Sequence, residues 1–148
     1  MSPGRALAIA FAVAAFLVVS FAVARWLTQD NRERSAVTDL LRAQARGDAR
    51  AMLDRLDGCL SAVCRGDVRK NAATLQRRAV RILRYDSGTA RSLGDRKGHT
   101  RVAWSGGVDE NVVVQCVSVE RRGLAVFGAD IVLSAIGRPI KGDTSCPQ

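Results

Sequence analysis

The stretch "VVVQCVSVERRGLAVFGADIVLSAIG" (residues 112–137) predicts two long β-strands joined at Arg122-Gly123. Its side chains alternate with a period of two, which is the repeat of a strand. One face of the first strand collects Val113, Gln115, Val117 and Val119. The other face collects Val112, Val114, Cys116 and Ser118. Since both faces are partly apolar, we expect helices to cover one face of the sheet and other segments to cover part of the second.

Two further strands are predicted before this stretch. "AVRILRYDSGTARSL" (residues 79–93) places Val80 and Ile82 on one face and Leu83 and Tyr85 on the other. "TRVAW" (residues 100–104) also reads as a strand. The segments "GDRKGH" (residues 94–99) and "SGGVDEN" (residues 105–111) are predicted turns because they collect glycine and short polar residues. The chain therefore predicts a sheet of about four antiparallel strands.

Helices precede the strands. Ser35 is expected to cap a helix whose apolar side chains follow helical spacing at Val37, Leu40, Leu41 and Ala45. Gly47 ends it, and Asp48 caps a second helix with the apolar stripe Ala49, Met52, Leu53 and Leu56. A short third helix is predicted from Asp67, with Val68, Ala72 and Leu75 apolar. Helices followed by antiparallel strands indicate an α+β fold, with two or three short helices packed on a curved sheet.

The N-terminal segment is apolar enough to cross a membrane. Residues 6–24 carry no charge, and Ser20 is their only polar residue. As a helix they would be about 28 Å long, close to the thickness of the hydrocarbon core, and Trp26 would follow at headgroup depth. We predict a transmembrane anchor over residues 1–27, a stalk or helical extension over residues 28–34, and an extracytoplasmic α+β domain over residues 35–148.

The alternative is cleavage. Ala22-Val23-Ala24 has the small-x-small pattern of a signal-peptidase site, and cleavage after Ala24 would give a secreted domain. The apolar run is longer than the core of most signal peptides, which favours an uncleaved anchor that holds the protein in membrane lipids.

Two signals disagree on the side of the membrane that holds the domain. Arg25, Arg32 and Arg34 follow the apolar run and only Arg5 precedes it, so the positive-inside rule weakly favours the cytoplasm. The four cysteines, an even number in a small domain, favour an oxidising compartment. We expect a single-pass protein of the cell membrane with its domain outside the cytoplasm.

The cysteines are expected to form disulfides, and four cysteines allow three pairings. We prefer Cys59–Cys64, which would close the loop after the second helix, and Cys116–Cys146, which would tie the C-terminal tail to a central strand. Free thiols and a metal site are the alternatives. A metal would need further ligands, and His99, the only histidine, lies in a predicted turn. No metal or other cofactor is expected.

The stretch "VTDLLRAQARGDARAMLDRL" (residues 37–56), a helix broken at Gly47-Asp48, is followed by about four long strands. This arrangement, over residues 35–142, resembles the nuclear transport factor 2-like (cystatin-like) superfamily, which has membrane-anchored actinobacterial members. The resemblance implies a cone-shaped fold in which a curved sheet wraps around the helices. Enzymes of the superfamily, such as ketosteroid isomerase, hold an acid–base pair inside the cone. No residue here matches such a pair, so no catalytic residue is predicted.

Positive charge concentrates between residues 65 and 84. Seven basic residues are opposed only by Asp67 there: Arg65, Arg69, Lys70, Arg77, Arg78, Arg81 and Arg84. We expect Arg77, Arg78, Arg81 and Arg84 to bind anionic lipid headgroups or a protein partner in the membrane or cell envelope. Nucleic acid is disfavoured because Tyr85 is the only aromatic residue beside them. A solvated arginine-rich surface without a ligand is the alternative.

These observations favour a binding or scaffolding domain without catalytic activity, with the second sheet face at Val112 and Val114 as a docking surface. The rival hypothesis is an enzyme of the same fold that uses a cavity carboxylate for acid–base chemistry on a small molecule. The polar residues weighed for such a cavity are Tyr85, Asp86, Gln115 and Asp130, and His99 is the only side chain that titrates near neutral pH.

Overall fold

The computed structural model describes residues 3–89, 94–124, 127–142 and 144–147, without the side chains of Ala6, Trp26 and Gln29. Within these residues the chain forms three helices, α1 (Pro3–Ala45), α2 (Ala49–Leu53) and α3 (Ala62–Thr74). Four strands follow, β1 (Arg81–Asp86), β2 (Arg96–Ser105), β3 (Val113–Arg122) and β4 (Asp130–Ile136). They form one open, curved antiparallel sheet in the order β1-β2-β3-β4, so the predicted α+β fold is confirmed. The predicted position of Trp26 at headgroup depth lies outside the described side chains.

Helix α1 is a single helix of 43 residues. Its N-terminal part contains an 18-residue window of mean hydropathy 2.7 that is not buried by the rest of the chain, and it is long enough to cross a membrane. Its C-terminal part buries Val37, Leu40 and Leu41 in the domain. The prediction that Ser35 caps a new helix is wrong, because the helix of the anchor continues through it. Residues 28–34, the predicted stalk, are helical too, and Glu33 is already buried.

The ends of the helices follow local signals. Gly47 adopts a φ of +76°, which favours glycine, and α1 ends two residues before it. The Asp48 side chain then accepts a hydrogen bond from the Ala51 N–H at 2.9 Å, which confirms the predicted cap of α2. Helix α3 begins at Ala62, earlier than predicted from Asp67, because Ser61 caps it by accepting from the Cys64 N–H at 3.1 Å.

Strand β2 is longer than predicted. The turn predicted over residues 94–99 is wrong, since β2 starts at Arg96 and pairs that residue with Arg121. Gly98, which suggested a turn, is instead a point of close approach: a side chain there would collide with the backbone of Gly88. Residues 90–93 of the first predicted strand lie outside the described residues.

Two further expectations about the strands are corrected. A bulge between Ile82 and Arg84 shifts the alternation of β1, so Ile82 and Tyr85 both pack against the core and the predicted opposite faces are wrong. Strand β4 starts only at Asp130, and the described residues before it, 123, 124 and 127–129, are not part of a strand. The predicted continuous strand after Gly123 is therefore wrong.

The core lies between the helices and one face of the sheet. Trp104 and Val102 of β2 are fully buried there, together with Val117 of β3 and Leu40 of α1. On this face β3 presents the predicted series of residues 113, 115, 117 and 119, all of them buried. Burial of these apolar side chains is the main favourable contribution to folding.

The C-terminal segment covers part of the second face of the sheet. The Ile140 N–H donates to the Val114 carbonyl at 2.8 Å, and Cys146 forms a disulfide with Cys116. Val114 is consequently only 6% exposed, so the prediction that it docks a partner is wrong, whereas Val112 stays 54% exposed. The second disulfide joins Cys59 to Cys64, so both preferred pairings are confirmed.

Candidate functional site

A buried polar cluster joins α1 to the sheet around Glu33. Glu33 Oε1 accepts hydrogen bonds from the hydroxyls of Tyr85 at 2.9 Å and Thr100 at 2.6 Å. Glu33 Oε2 accepts from Thr89 Oγ1 and from Arg121 Nη2, the latter at 2.8 Å. Arg121 also donates to Asp30 at 2.6 Å, one turn earlier on α1. The cluster therefore links one helix to β1, β2, β3 and the segment after β1.

The cluster fixes the charge state of its members. Burial by itself would raise the pKa of Glu33, but hydrogen bonds from Thr100, Thr89 and Arg121 outweigh it, and the pKa lies below its ordinary value. Burial and the neighbouring Glu33 carboxylate raise the pKa of Tyr85. Glu33 is therefore an anion and Tyr85 a neutral donor at neutral pH. A carboxylate held in this way is stabilised as a charge and is a poor proton acceptor.

A second buried network lies further along α1. Gln115 Oε1 accepts from Gln44 Nε2 at 2.9 Å and from Trp104 Nε1 at 3.0 Å, while Gln115 Nε2 donates to the Gly137 carbonyl at 3.1 Å. Gln115 was weighed as a cavity residue. Its amide groups are instead taken up by these contacts inside the core, where an unpaired amide would be costly.

The other residues weighed for acid–base chemistry lie at the surface. Asp86 is exposed and pairs with Arg84 at 2.9 Å and with Arg101 at 3.5 Å. Asp130 is exposed at the start of β4. His99 is an exposed strand residue, and its Nδ1 lies 3.1 Å from Ser118 Oγ. These carboxylates and this imidazole do not converge on one point.

The structure divides the four predicted binding arginines. Arg77 and Arg78 lie beside Arg42 of α1 and Arg46, which directly follows α1, and together these four line a groove of about 370 Å³ with Ala45, Ala79 and Val80. We call this the basic groove. Arg84 lies elsewhere, paired with Asp86, and Arg81 is exposed at the start of β1 opposite Ser105. Two of the four arginines predicted to bind a ligand thus line the basic groove, and the groove adds Arg42 and Arg46, which were not predicted.

Ion pairs occupy only part of the basic groove. Arg42 pairs with Asp39 at 3.0 Å, and Arg77 pairs with Glu110 at 3.0 Å. Within residues 3–89, 94–124, 127–142 and 144–147, no carboxylate pairs with Arg46 or Arg78. These two exposed guanidinium groups are therefore available to a ligand. An exposed arginine fork binds carboxylates and phosphates in a bidentate manner.

The basic groove lies at the far end of α1. The Arg77 N–H donates to the Ala45 carbonyl at 2.9 Å, which places the groove where α1 ends. Arg25, the first charged residue after the apolar run, precedes Ala45 by twenty positions, or about 30 Å of helix. The groove and the apolar segment are thus separated by the full height of the domain.

Both missed groups of residues left a signal in the sequence. Glu33 extends the buried stripe of Val37, Leu40 and Gln44 by one helical step toward the N-terminus, and Arg121 extends the buried alternation of β3. Arg42, in the last turn of α1, and Arg46, directly after its end, are both exposed. Their proximity to Arg77 and Arg78 depends on tertiary packing and leaves no local signal.

No protein-family model, curated protein or solved structure matches this chain. The description of the fold, the Glu33 cluster, the Gln115 network and the basic groove therefore rests on the residues of this chain alone. The resemblance to the nuclear transport factor 2-like superfamily stays a prediction.

Proposed function

We propose that this chain is a single-pass membrane protein whose domain, outside the cytoplasm, presents the basic groove to an acidic segment of a partner protein. The observation that carries the proposal is the continuity of α1. The same helix supplies an apolar span at one end, part of the core of a disulfide-bonded domain in the middle, and Arg42 of the groove in its last turn, with Arg46 of the groove directly after its end.

The two disulfides support the location of the domain. Disulfides persist in oxidising compartments and are rare where thiols are kept reduced. Cys59–Cys64 and Cys116–Cys146 together use all four cysteines of the chain. The disulfides favour a domain outside the cytoplasm, whereas the weak excess of positive charge after the apolar run favours a cytoplasmic one. We give the disulfides more weight because one of those charges, Arg25, is engaged in a contact with the domain itself.

Distance favours a protein over lipid as the ligand of the groove. With α1 crossing the bilayer up to Arg25, the groove lies about 30 Å further along the helix. Electrostatic attraction between solvated charges is largely screened beyond about 8 to 10 Å at physiological salt. Anionic headgroups of the same membrane are therefore poor ligands for Arg46 and Arg78, and a partner that reaches the top of the domain is a better one.

The interior of the domain favours binding over catalysis. In the superfamily that the chain resembles, enzymes keep an acid–base pair inside the cone. The corresponding interior here contains Glu33 with its hydrogen-bond donors, the Gln44–Gln115 pair, and Trp104. These groups satisfy one another. A binding or scaffolding role through the outer surface is the better account of the domain.

The test is a comparison of two variants with equal loss of charge. Arg42→Gln/Arg46→Gln/Arg78→Gln removes three charges from the basic groove, and Arg65→Gln/Arg69→Gln/Lys70→Gln removes three exposed charges from α3. Each is cross-linked in cells, purified from solubilised membranes, and analysed by quantitative mass spectrometry.

We expect at least one acidic envelope protein to be retained by the unmodified chain and by the α3 variant, and to be lost from the groove variant. Its retention by the unmodified chain should fall as salt is raised, because the contact is electrostatic. Equal recovery with both variants would overturn the proposed role of the groove.

A further inference from the structure

The loop between β3 and β4 is fixed to α1 at the level where the apolar run ends. Arg25 Nη2 donates to the Phe127 carbonyl at 3.1 Å. Gly128, with a φ of +90°, lies against the same guanidinium, and a side chain at that position would collide with it. Arg25 directly follows Ala24, the last residue of the charge-free run. The loop therefore lies beside the helix at the boundary of the predicted bilayer.

The loop is apolar in sequence, and its large side chains within the described residues, Leu124 and Phe127, are exposed. The sequence from Gly123 to Ala129 is "GLAVFGA", without a charge or a polar side chain. Phe127 is 79% exposed and Leu124 is 54% exposed. Fully solvated, such a loop would leave a large aromatic ring in water, whereas the interfacial layer of a bilayer accommodates apolar and aromatic side chains.

Basic residues flank the loop. Arg96 and Lys97 open β2 and lie opposite Arg121 and Glu120 at the end of β3, next to the loop. Lys97 is largely exposed even though its ammonium lies 3.4 Å from Glu120. Most acidic groups of this end are engaged by the protein: Glu120 and Asp57 pair with Arg122, Asp30 pairs with Arg121, and Asp95 accepts from the Gly123 N–H. Asp130, opposite Arg122 at the start of β4, is exposed and forms no ion pair among the described residues. Exposed cations around an apolar loop match the surface of a membrane that contains anionic lipids.

We infer that the β3–β4 loop is a second membrane contact, in which Leu124 and Phe127 enter the interfacial layer of the bilayer beside α1. The inference rests on the proposed function insofar as α1 must span the membrane. It adds that the domain lies directly on the bilayer with the edge that carries the β3–β4 loop. The end of the domain with this loop then contacts the membrane, and the end with the basic groove binds the partner.

The test places a tryptophan at each end of the domain in the full-length protein. The variant Trp26→Phe/Phe127→Trp carries the probe in the loop. The matched control Trp26→Phe/Val108→Trp carries it in the turn between β2 and β3, where Val108 is 84% exposed at the end that holds the basic groove. A third variant, Trp26→Phe/Leu124→Trp, probes the loop independently. Trp104 is fully buried and contributes a constant background.

Each protein is reconstituted into phosphatidylcholine vesicles that contain phosphatidylglycerol, with and without lipids brominated high on their acyl chains. We expect the tryptophans at positions 124 and 127 to emit at shorter wavelength than the one at position 108. Bromine should quench them several-fold more strongly. Emission and quenching equal to those at position 108, for both loop probes, would overturn the inference and leave a protein partner as the occupant of the loop.

A measurement on the unmodified chain distinguishes failure of this inference from failure of the predicted membrane anchor. Its Trp26 follows the apolar run directly, so quenching of Trp26 by brominated lipid reports insertion of α1. If Trp26 is quenched and the loop probes are not, the second contact is wrong and the anchor stands. If Trp26 is not quenched, the anchor is wrong and the loop inference falls with it.

Discussion

Glu33 and Arg121 lie 88 positions apart in the chain, yet Arg121 Nη2 donates to Glu33 Oε2 over 2.8 Å in the interior of the domain. Neither side chain has appreciable contact with solvent. The pair joins α1, directly above its apolar segment, to the last residues of β3. The part of the domain nearest the apolar segment of α1 is therefore held by charge and hydrogen bonds, and the part further away by the apolar core.

Removal of one partner of this pair should be strongly destabilising. In Glu33→Gln the Arg121 guanidinium loses its buried counterion, and we expect a loss of about 3 to 5 kcal/mol in the free energy of unfolding. Denaturant unfolding of the detergent-solubilised protein, followed by Trp104 fluorescence, measures it. The control Asp39→Asn breaks an exposed pair with Arg42 and should cost less than about 1 kcal/mol. Equal effects would contradict a special role for Glu33.

Stability should fall in acid because of the same residue. The pKa of Glu33 is lower in the folded than in the unfolded chain, so its contribution is present above the unfolded value of about 4.3 and is lost as the pH falls through the folded value. We expect the free energy of unfolding of the unmodified protein to drop below about pH 4, and that of Glu33→Gln to drop less. Parallel pH profiles for the two proteins would contradict this assignment.

In alkali the single tyrosine reports on the same cluster. The pKa of Tyr85 is raised in the folded state, so its contribution is present below the unfolded value of about 10 and is lost as the pH rises further. We expect tyrosinate absorbance to appear only together with unfolding, as monitored by near-ultraviolet circular dichroism. Because Tyr85 is the only tyrosine, the signal has one source. Ionisation well before unfolding would contradict burial of its hydroxyl against Glu33.

The two disulfides should contribute unequally. Cys116–Cys146 closes a loop with a sequence separation of 30, whereas Cys59–Cys64 has a separation of 5. In the chain-entropy model the larger loop is worth about 3 to 4 kcal/mol and the smaller about 2 kcal/mol. Unfolding of the two double-serine variants tests the order. Thiol trapping in intact cells should find no free cysteine, and four alkylatable thiols would place the domain in the cytoplasm.

The N-terminal segment should remain attached. The domain contacts α1 from Arg25 onward, and the helix passes through Ala24 without interruption. Mass spectrometry of protein extracted from membranes should therefore find residues 1–24 still present, and alkaline carbonate should not release the protein. A mature N-terminus at Arg25 together with a soluble protein would establish the secreted alternative instead.

Local patterns were sufficient for most of the fold. The alternation of β3, the stripe of α1 after residue 37 and the Asp48 cap could be predicted because each depends on near neighbours. The cysteine count predicted disulfides, while the pairing was a preference among three. The prediction that Ser35 begins a new helix was wrong because a good capping residue is also tolerated in the interior of a helix. The turn predicted over residues 94–99 was wrong because Gly98 allows the backbone of β2 to lie close to the backbone of Gly88, a contact that the neighbouring residues do not reveal.

The candidate site was less accessible from the sequence. Arg77 and Arg78 stood out through their local charge density. Arg42 and Arg46 lie next to them only because the end of α1 packs against the segment that follows α3. Glu33 looked like one charge among many in "QDNRER" (residues 29–34). Only its position in the helical repeat distinguishes it from Arg32 and Arg34, which are exposed. Contacts between distant segments decide such sites, and composition does not reveal them.

The unbroken course of α1 means that there is no joint between its apolar segment and the part of the helix that packs in the domain. A change in the tilt of the apolar segment is the same change in the tilt of the domain, and a rotation of the helix about its axis turns the basic groove by an equal angle. One residue inserted between Ala24 and Arg25, before the first contact of α1 with the domain, would turn the domain by about 100° and shift it by about 1.5 Å along the helix axis. The apolar segment and the domain therefore move as one rigid unit, and the rotation of the helix about its axis sets the direction that the groove faces.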